Sequence, residues 1–194
     1  MSKQTAKHAL LVVDMLQDYF DAALWPQSQL PQQRAQLSAR VNALVDVCRA
    51  HGVPIVWVRH AFQPDLSDAF PHMRKANRRY TIAGTPGSEI LPELHVEKDD
   101  TILVKKRFSA FFRTDLEQQL RRMQVDSLIL AGITTSWCVR STAVDGYQLD
   151  FDIFLVQECL AGFTTQDHEA SLQAMDGYIA TVVRTDDISG MLTR

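Results

Sequence analysis

Short apolar runs rich in β-branched residues alternate along this chain with longer stretches whose apolar residues keep helical spacing. That alternation constrains the fold more than any other feature. His8 to Val13 reads as a buried strand, followed directly by Asp14. A helix begins around Ser28 to Pro31 and runs to about Ala50, with Leu37, Val41, Leu44, Val45 and Cys48 on one stripe. Gly52 ends it, and Pro54 to Val58 forms a second strand. Thr101–Val104, Ser127–Ala131, Phe151–Val156 and Ile179–Val183 supply the remaining strands. Helices are expected over Thr114–Met123, Ser136–Leu149 and Gln166–Tyr178, the first capped by Thr114 with Glu117 at the capping-box position. Residues Arg59 to Gly87 hold little periodicity and several prolines and glycines, so they read as one long loop. A loop of that length in a compact domain is usually functional or mobile.

Strands that alternate with helices build a parallel sheet covered on both faces. The expected fold is α/β: a six-stranded parallel sheet with helices on both faces, a Rossmann-like three-layer sandwich. The 194 residues contain no internal repeat, low-complexity segment or linker, so residues 1–194 read as one domain. With 46% hydrophobic and 22% charged residues and a net charge of −3, nothing favours nucleic acid or an anionic membrane as partner. No apolar run approaches the roughly 20 residues that span a bilayer. Met1 to Lys7 is polar and lacks the apolar stretch of a signal peptide, so the expected location is cytoplasmic. Cys48, Cys138 and Cys159 are too few and too widely spaced for a disulfide framework or a zinc motif.

In such folds ligands bind beyond the carboxyl ends of the strands. Asp14 ends the first strand, Lys105 ends the third, and Cys138 opens the helix after the fourth. A thiol in a helix's first turn faces free N–H groups and the positive end of the dipole, which favour thiolate. Most free cysteines, however, are simply small buried hydrophobes. Asp14 has the position of a partly buried base, or of a loop hydrogen-bond acceptor. Of Lys105 and its neighbour Lys106, alternation turns one inward, and the pattern alone does not choose between them.

Three segments carry a family resemblance. They are Leu-Val-Val-Asp14-Met-Leu-Gln-Asp18-Tyr-Phe, Val-Lys105-Lys-Arg107-Phe-Ser109-Ala-Phe111, and Ala-Gly132-Ile-Thr-Thr-Ser-Trp-Cys138-Val-Arg-Ser-Thr142-Ala-Val-Asp145. They resemble the isochorismatase-like cysteine hydrolases, in the right order, over about Leu10 to Val183. The resemblance implies a catalytic set of Asp14, Lys105 and Cys138, and it selects Lys105 over Lys106. It further implies a cis peptide between Ile133 and Thr134 that aims the Thr134 N–H, with that of Cys138, at a developing oxyanion. The implied activity is cleavage of a C–N bond in a small amide, ureido or carbamoyl compound through a thioester. The N-carbamoylsarcosine, ureidoacrylate and biuret amidohydrolases look nearest.

The family also contains isochorismatases that open a vinyl ether, nicotinamidases that hold a metal, and, as a further class, members that would only bind a metabolite. The metal ligands of nicotinamidases form an Asp-x-His-x-His run after the second strand. Here that place reads Val58-Arg59-His60-Ala61-Phe62, so no metal and no cofactor are expected. Substrate contacts are expected from Phe20, His60, Tyr80, Thr135 and Trp137, the last standing where the family usually has a small residue. His60 could equally be a loop histidine facing water. Phe62, Phe70 and Tyr80 could line an apolar pocket or pack the loop down. Arg74, Lys75, Arg78 and Arg79 read first as a solvated loop face, and second as a lid attracting a carboxylate. The expected partners are a small-molecule substrate and further copies of the chain, as a dimer or tetramer.

Overall fold

The computed structural model describes residues 7–193; the N-terminal residues before Lys7, read above for a leader, lie outside them. β1 (His8–Val13), β2 (Ile55–His60), β3 (Thr101–Lys105), β4 (Ser127–Ile133), β5 (Asp152–Ala161) and β6 (Thr181–Val183) form one sheet in the order β3-β2-β1-β4-β5-β6. Every pairing is parallel. The order reverses between β1 and β4, and a crevice opens at such a switch point beyond the carboxyl ends of the two strands.

β1 shows why its sequence is apolar throughout. Side chains alternate across a strand, so Leu10 and Val12 enter one core layer while Ala9, Leu11 and Val13 enter the other. The first layer is covered by α1 (Leu30–Ala50), through Leu37, Val41, Leu44 and Val45, and by α6 (Thr185–Leu192), through Ile188. The second is covered by α3 (Leu116–Arg122), α4 (Arg140–Gln148) and α5 (Thr165–Met175), through Leu116, Leu120, Ala143 and Met175. Helices thus lie on both faces. No described helix is long and apolar enough to cross a membrane.

The structure corrects several boundaries. β2 continues to His60, which is completely buried, so His60 is a strand residue and does not face water. The 59–87 stretch contains α2 (Pro71–Ala76), started by Pro71 and stopped by Asn77 in the left-handed region at φ 46°. Six residues are too few to show a helical period in sequence. α3 is capped at Asp115 with no side-chain bond, and Thr114 Oγ1 accepts from Leu116 N–H at 3.3 Å. Glu117 instead pairs with Arg121 at 3.9 Å, so there is no capping box. β5 runs to Ala161 because its register against β4 shifts between Leu130 and Gly132, absorbing the polar Gln157 and Glu158. α5 ends at Met175, short of the expected Tyr178. α6 had no sequence expectation; its first turn is held by Asp187 accepting from Arg184 N–H at 2.8 Å.

Candidate active site

Four neighbouring strand ends supply the site. β3 ends on Lys105 and β2 on its register partner His60. Asp14 follows β1, and Ile133 ends β4. Lys105 starts two strands away from Asp14, and strands lie about 4.8 Å apart. A long flexible side chain is needed to cross that gap, and it does: Lys105 Nζ is 2.7 Å from Asp14 Oδ2. Both side chains are sealed from water. Lys106 points elsewhere and pairs with Asp68 at 2.7 Å, partly exposed.

Asp14 sits at φ 52°, turning the chain sharply off the strand. The His60 N–H donates to its Oδ1 at 3.2 Å. The Asp14 carboxylate, an imidazole nitrogen of His60 and the Cys138 thiol lie within 4.8 Å of one another. Gly132 makes this convergence sterically possible. It has φ 105°, and a Cβ there would lie 2.1 Å from the Val13 carbonyl oxygen. The Ile133–Thr134 peptide is cis. A π turn, Thr135–Val139, then carries Cys138 into α4. Thr142 locks that turn to the segment after β3: its hydroxyl donates to the Cys138 carbonyl at 2.7 Å and accepts from Ala110 N–H at 3.0 Å.

The site opens on a cavity of about 460 Å³. Asp14, Cys138, Ile133 and Thr134 form its floor, and Tyr19, Trp25, Phe70, His72, Tyr80, Phe108, Trp137 and Phe163 complete the lining. Of the expected contacts, Tyr80 and Trp137 reach the cavity. Phe20 is buried in the core and is not among the lining residues. Thr135 is buried and bonds His168 Nδ1 at 2.8 Å. His60 lies behind the floor, with Nδ1 3.0 Å from the Tyr19 hydroxyl and Nε2 3.1 Å from the Arg107 carbonyl. Phe62 stacks on the His60 ring rather than lining the cavity. Sequence reading missed Tyr19, Trp25, His72, Phe108 and Phe163 as lining, although Tyr19 and Phe108 lie inside the quoted motifs. The basic loop stays outside the lining: Arg78 lies over the Trp25 ring at 5.6 Å, and Arg79 reaches the Pro64 carbonyl.

An isochorismatase domain model matches residues 8–187. This chain belongs to the isochorismatase family. It is 32% identical over 181 residues to enterobactin synthase component B of Escherichia coli, covering 93% of this chain and 61% of that protein. The chain therefore spans about three fifths of that relative's length. It is 30% identical over 183 residues to a maleamate amidohydrolase of Pseudomonas putida, covering 93% of this chain and 84% of the relative. A solved isochorismatase family protein from Desulfovibrio vulgaris superposes with a TM-score of 0.85 at 31% identity, covering 97% of this chain and all of that one.

Some isochorismatase-family enzymes hold a metal, and Asp14, His60 and Cys138 are close enough together to be considered as ligands. The set does not fit a resident cation. The Lys105 ammonium already occupies Asp14 Oδ2 at 2.7 Å and lies 3.0 Å from His60 Nε2, so a metal would meet like charge at both ligands.

Electrostatics here depart from the helix-dipole expectation. Burial pushes the Cys138 thiol up, and the Lys105 ammonium, which pulls it down, does not overcome that; the Asp14 carboxylate pushes it further up. The resting sulfur is therefore a thiol rather than a standing thiolate. Burial lowers His60 to about 3, so its ring is neutral at physiological pH. Burial raises both Cys48 and Cys159 to about 12, the behaviour of core thiols.

Proposed function

We propose that this chain is a cysteine-dependent amidohydrolase that cleaves a C–N bond of a small amide, ureido or carbamoyl compound. The observation that carries the reading is the convergence of a carboxylate and a thiol, from β1 and the turn after β4, on the floor of one cavity, with the Lys105 ammonium from β3 paired to that carboxylate from behind. The name of the P. putida relative points to the same bond class.

Cys138 Sγ attacks the substrate carbonyl carbon while its proton passes to Asp14. This suits a thiol held neutral beside a carboxylate, since the charge forms only as the bond forms. The oxyanion is received by the N–H groups of Thr134 and Cys138. The intermediate collapses with cleavage of the C–N bond, and Asp14 gives its proton to the departing nitrogen. Water then attacks the thioester, its proton returning through Asp14, and the sulfur leaves and is reprotonated. Lys105 pairs with Asp14 at 2.7 Å and compensates charge throughout.

A screen of primary amides, ureas and carbamoyl compounds for ammonia release tests the reading. Intact-mass analysis of acid-quenched turnover should show an acyl adduct confined to Cys138. Ammonia release with no dependence on Cys138 would overturn it.

A further inference from the structure

The cavity wall is largely aromatic. Trp25 stacks on Phe163 with centroids 4.9 Å apart and meets Tyr80 edge-on at 5.0 Å. Phe70 stacks on Phe108 at 4.6 Å, and Phe108 continues to Trp137 at 5.2 Å. These two aromatic runs line one space above Cys138 and are joined by His72, which stacks on Phe70 at 5.6 Å and bonds the Tyr80 hydroxyl at 3.0 Å. The lining contains no lysine or arginine, and its acid is Asp14. Arg78, the basic-loop residue stacked on a lining ring, is not itself among the lining residues.

The acid at the cavity floor also disfavours an anion. A substrate carboxylate would meet Asp14, and the Lys105 ammonium is already paired with that carboxylate at 2.7 Å.

Resting on the amidohydrolase reading, we infer that the cavity takes the neutral amide of a flat, two-ring aromatic group held between the two aromatic runs. Its amide N–H groups turn toward Asp14, and its carbonyl carbon lies over Cys138. At about 460 Å³ the cavity has the size of sites that enclose ligands larger than a single ring. Aromatic side chains stacking on such a ring add binding beyond simple burial.

The probes are naphthalene-2-carboxamide, succinamate and acetamide, compared by ammonia release. Naphthalene-2-carboxamide should have the highest kcat/KM. In Trp25→Ala the ratio of its kcat/KM to that of acetamide should fall about tenfold, with Trp25→Phe restoring most of it. Equal or better turnover of succinamate would overturn the inference and leave the hydrolase reading standing. If no probe turns over, binding to Cys138→Ala, followed by tryptophan fluorescence, separates the two. Saturable binding of the naphthalene amide but not of succinamate would sustain the cavity inference and sink the hydrolase reading. No binding would sink the inference too.

Discussion

Lys105 Nζ lies 2.7 Å from Asp14 Oδ2, with both groups shut away from solvent. Removing one member of a buried pair strands the other charge, which costs about 3–5 kcal/mol. Lys105→Ala should therefore lose that order of stability in denaturant titration and several orders of magnitude in turnover. Lys106→Ala breaks the partly exposed contact with Asp68 and a bond donated to the Ala61 carbonyl, and should change stability by about 1 kcal/mol or less, with activity retained. An inactive Lys106→Ala beside an active Lys105→Ala would show that the wrong lysine has been placed at the site.

The Cys138 thiol should alkylate slowly at neutral pH. The free-thiol value is about 8.5, and burial places Cys138 above its ordinary range. The midpoint of iodoacetamide reactivity against pH should lie above that of a small thiol. Asp14→Asn should bring it down, because the carboxylate is one of the groups raising it, and Lys105→Ala should raise it further. A midpoint below 7 in the free protein would contradict the burial argument.

His60 gives a pH dependence of stability. Its folded value, about 3, is below the unfolded value of about 6.5. The unfolded chain therefore takes up the proton first as pH falls. The contribution is complete above about 6.5 and is lost progressively down through about 3. Unfolding midpoints measured from pH 7 to 4 should fall more steeply for the native chain than for His60→Gln. Parallel curves would show that His60 is not responsible.

Gly132→Ala should not give a native, active protein. The backbone there is at φ 105°, and a Cβ would overlap the Val13 carbonyl oxygen at 2.1 Å, backbone against backbone. Loss of the cooperative unfolding transition, or of activity with the transition displaced, is the expected result. An active variant of unchanged stability would mean that β1 and β4 separate easily at the switch point.

Much of this arrangement was legible in the sequence because the strands are buried on both sides. A run such as Ala9 to Val13 leaves little alternative to a covered parallel strand, and the residue after it then falls on the carboxyl edge. Asp14, the Lys105–Lys106 pair and the turn bearing Cys138 fall on that edge in this way, and the family resemblance alone selects Lys105 from the pair. The depth of His60 was not legible, since Arg59 and His60 are polar and end an apolar run, which resembles a strand leaving the core. The aromatic wall was only partly so. Trp25 and Phe163 are distant in sequence, whereas Phe70, Tyr80 and Trp137 are among the residues read from sequence as possible pocket lining. The thiol's state was misread because a helix-start position says nothing about burial, which is the larger effect on Cys138.

The most direct measurement is ammonia release by Cys138→Ala, with Cys48→Ala and Cys159→Ala alongside, on an amide that the native chain hydrolyses. All three thiols are buried, but only Cys138 reaches the cavity. The expected result is release at the background rate for Cys138→Ala, with its circular dichroism and unfolding transition native-like, and turnover retained in the other two variants. Native-like turnover by Cys138→Ala would contradict the assignment of this thiol as the nucleophile.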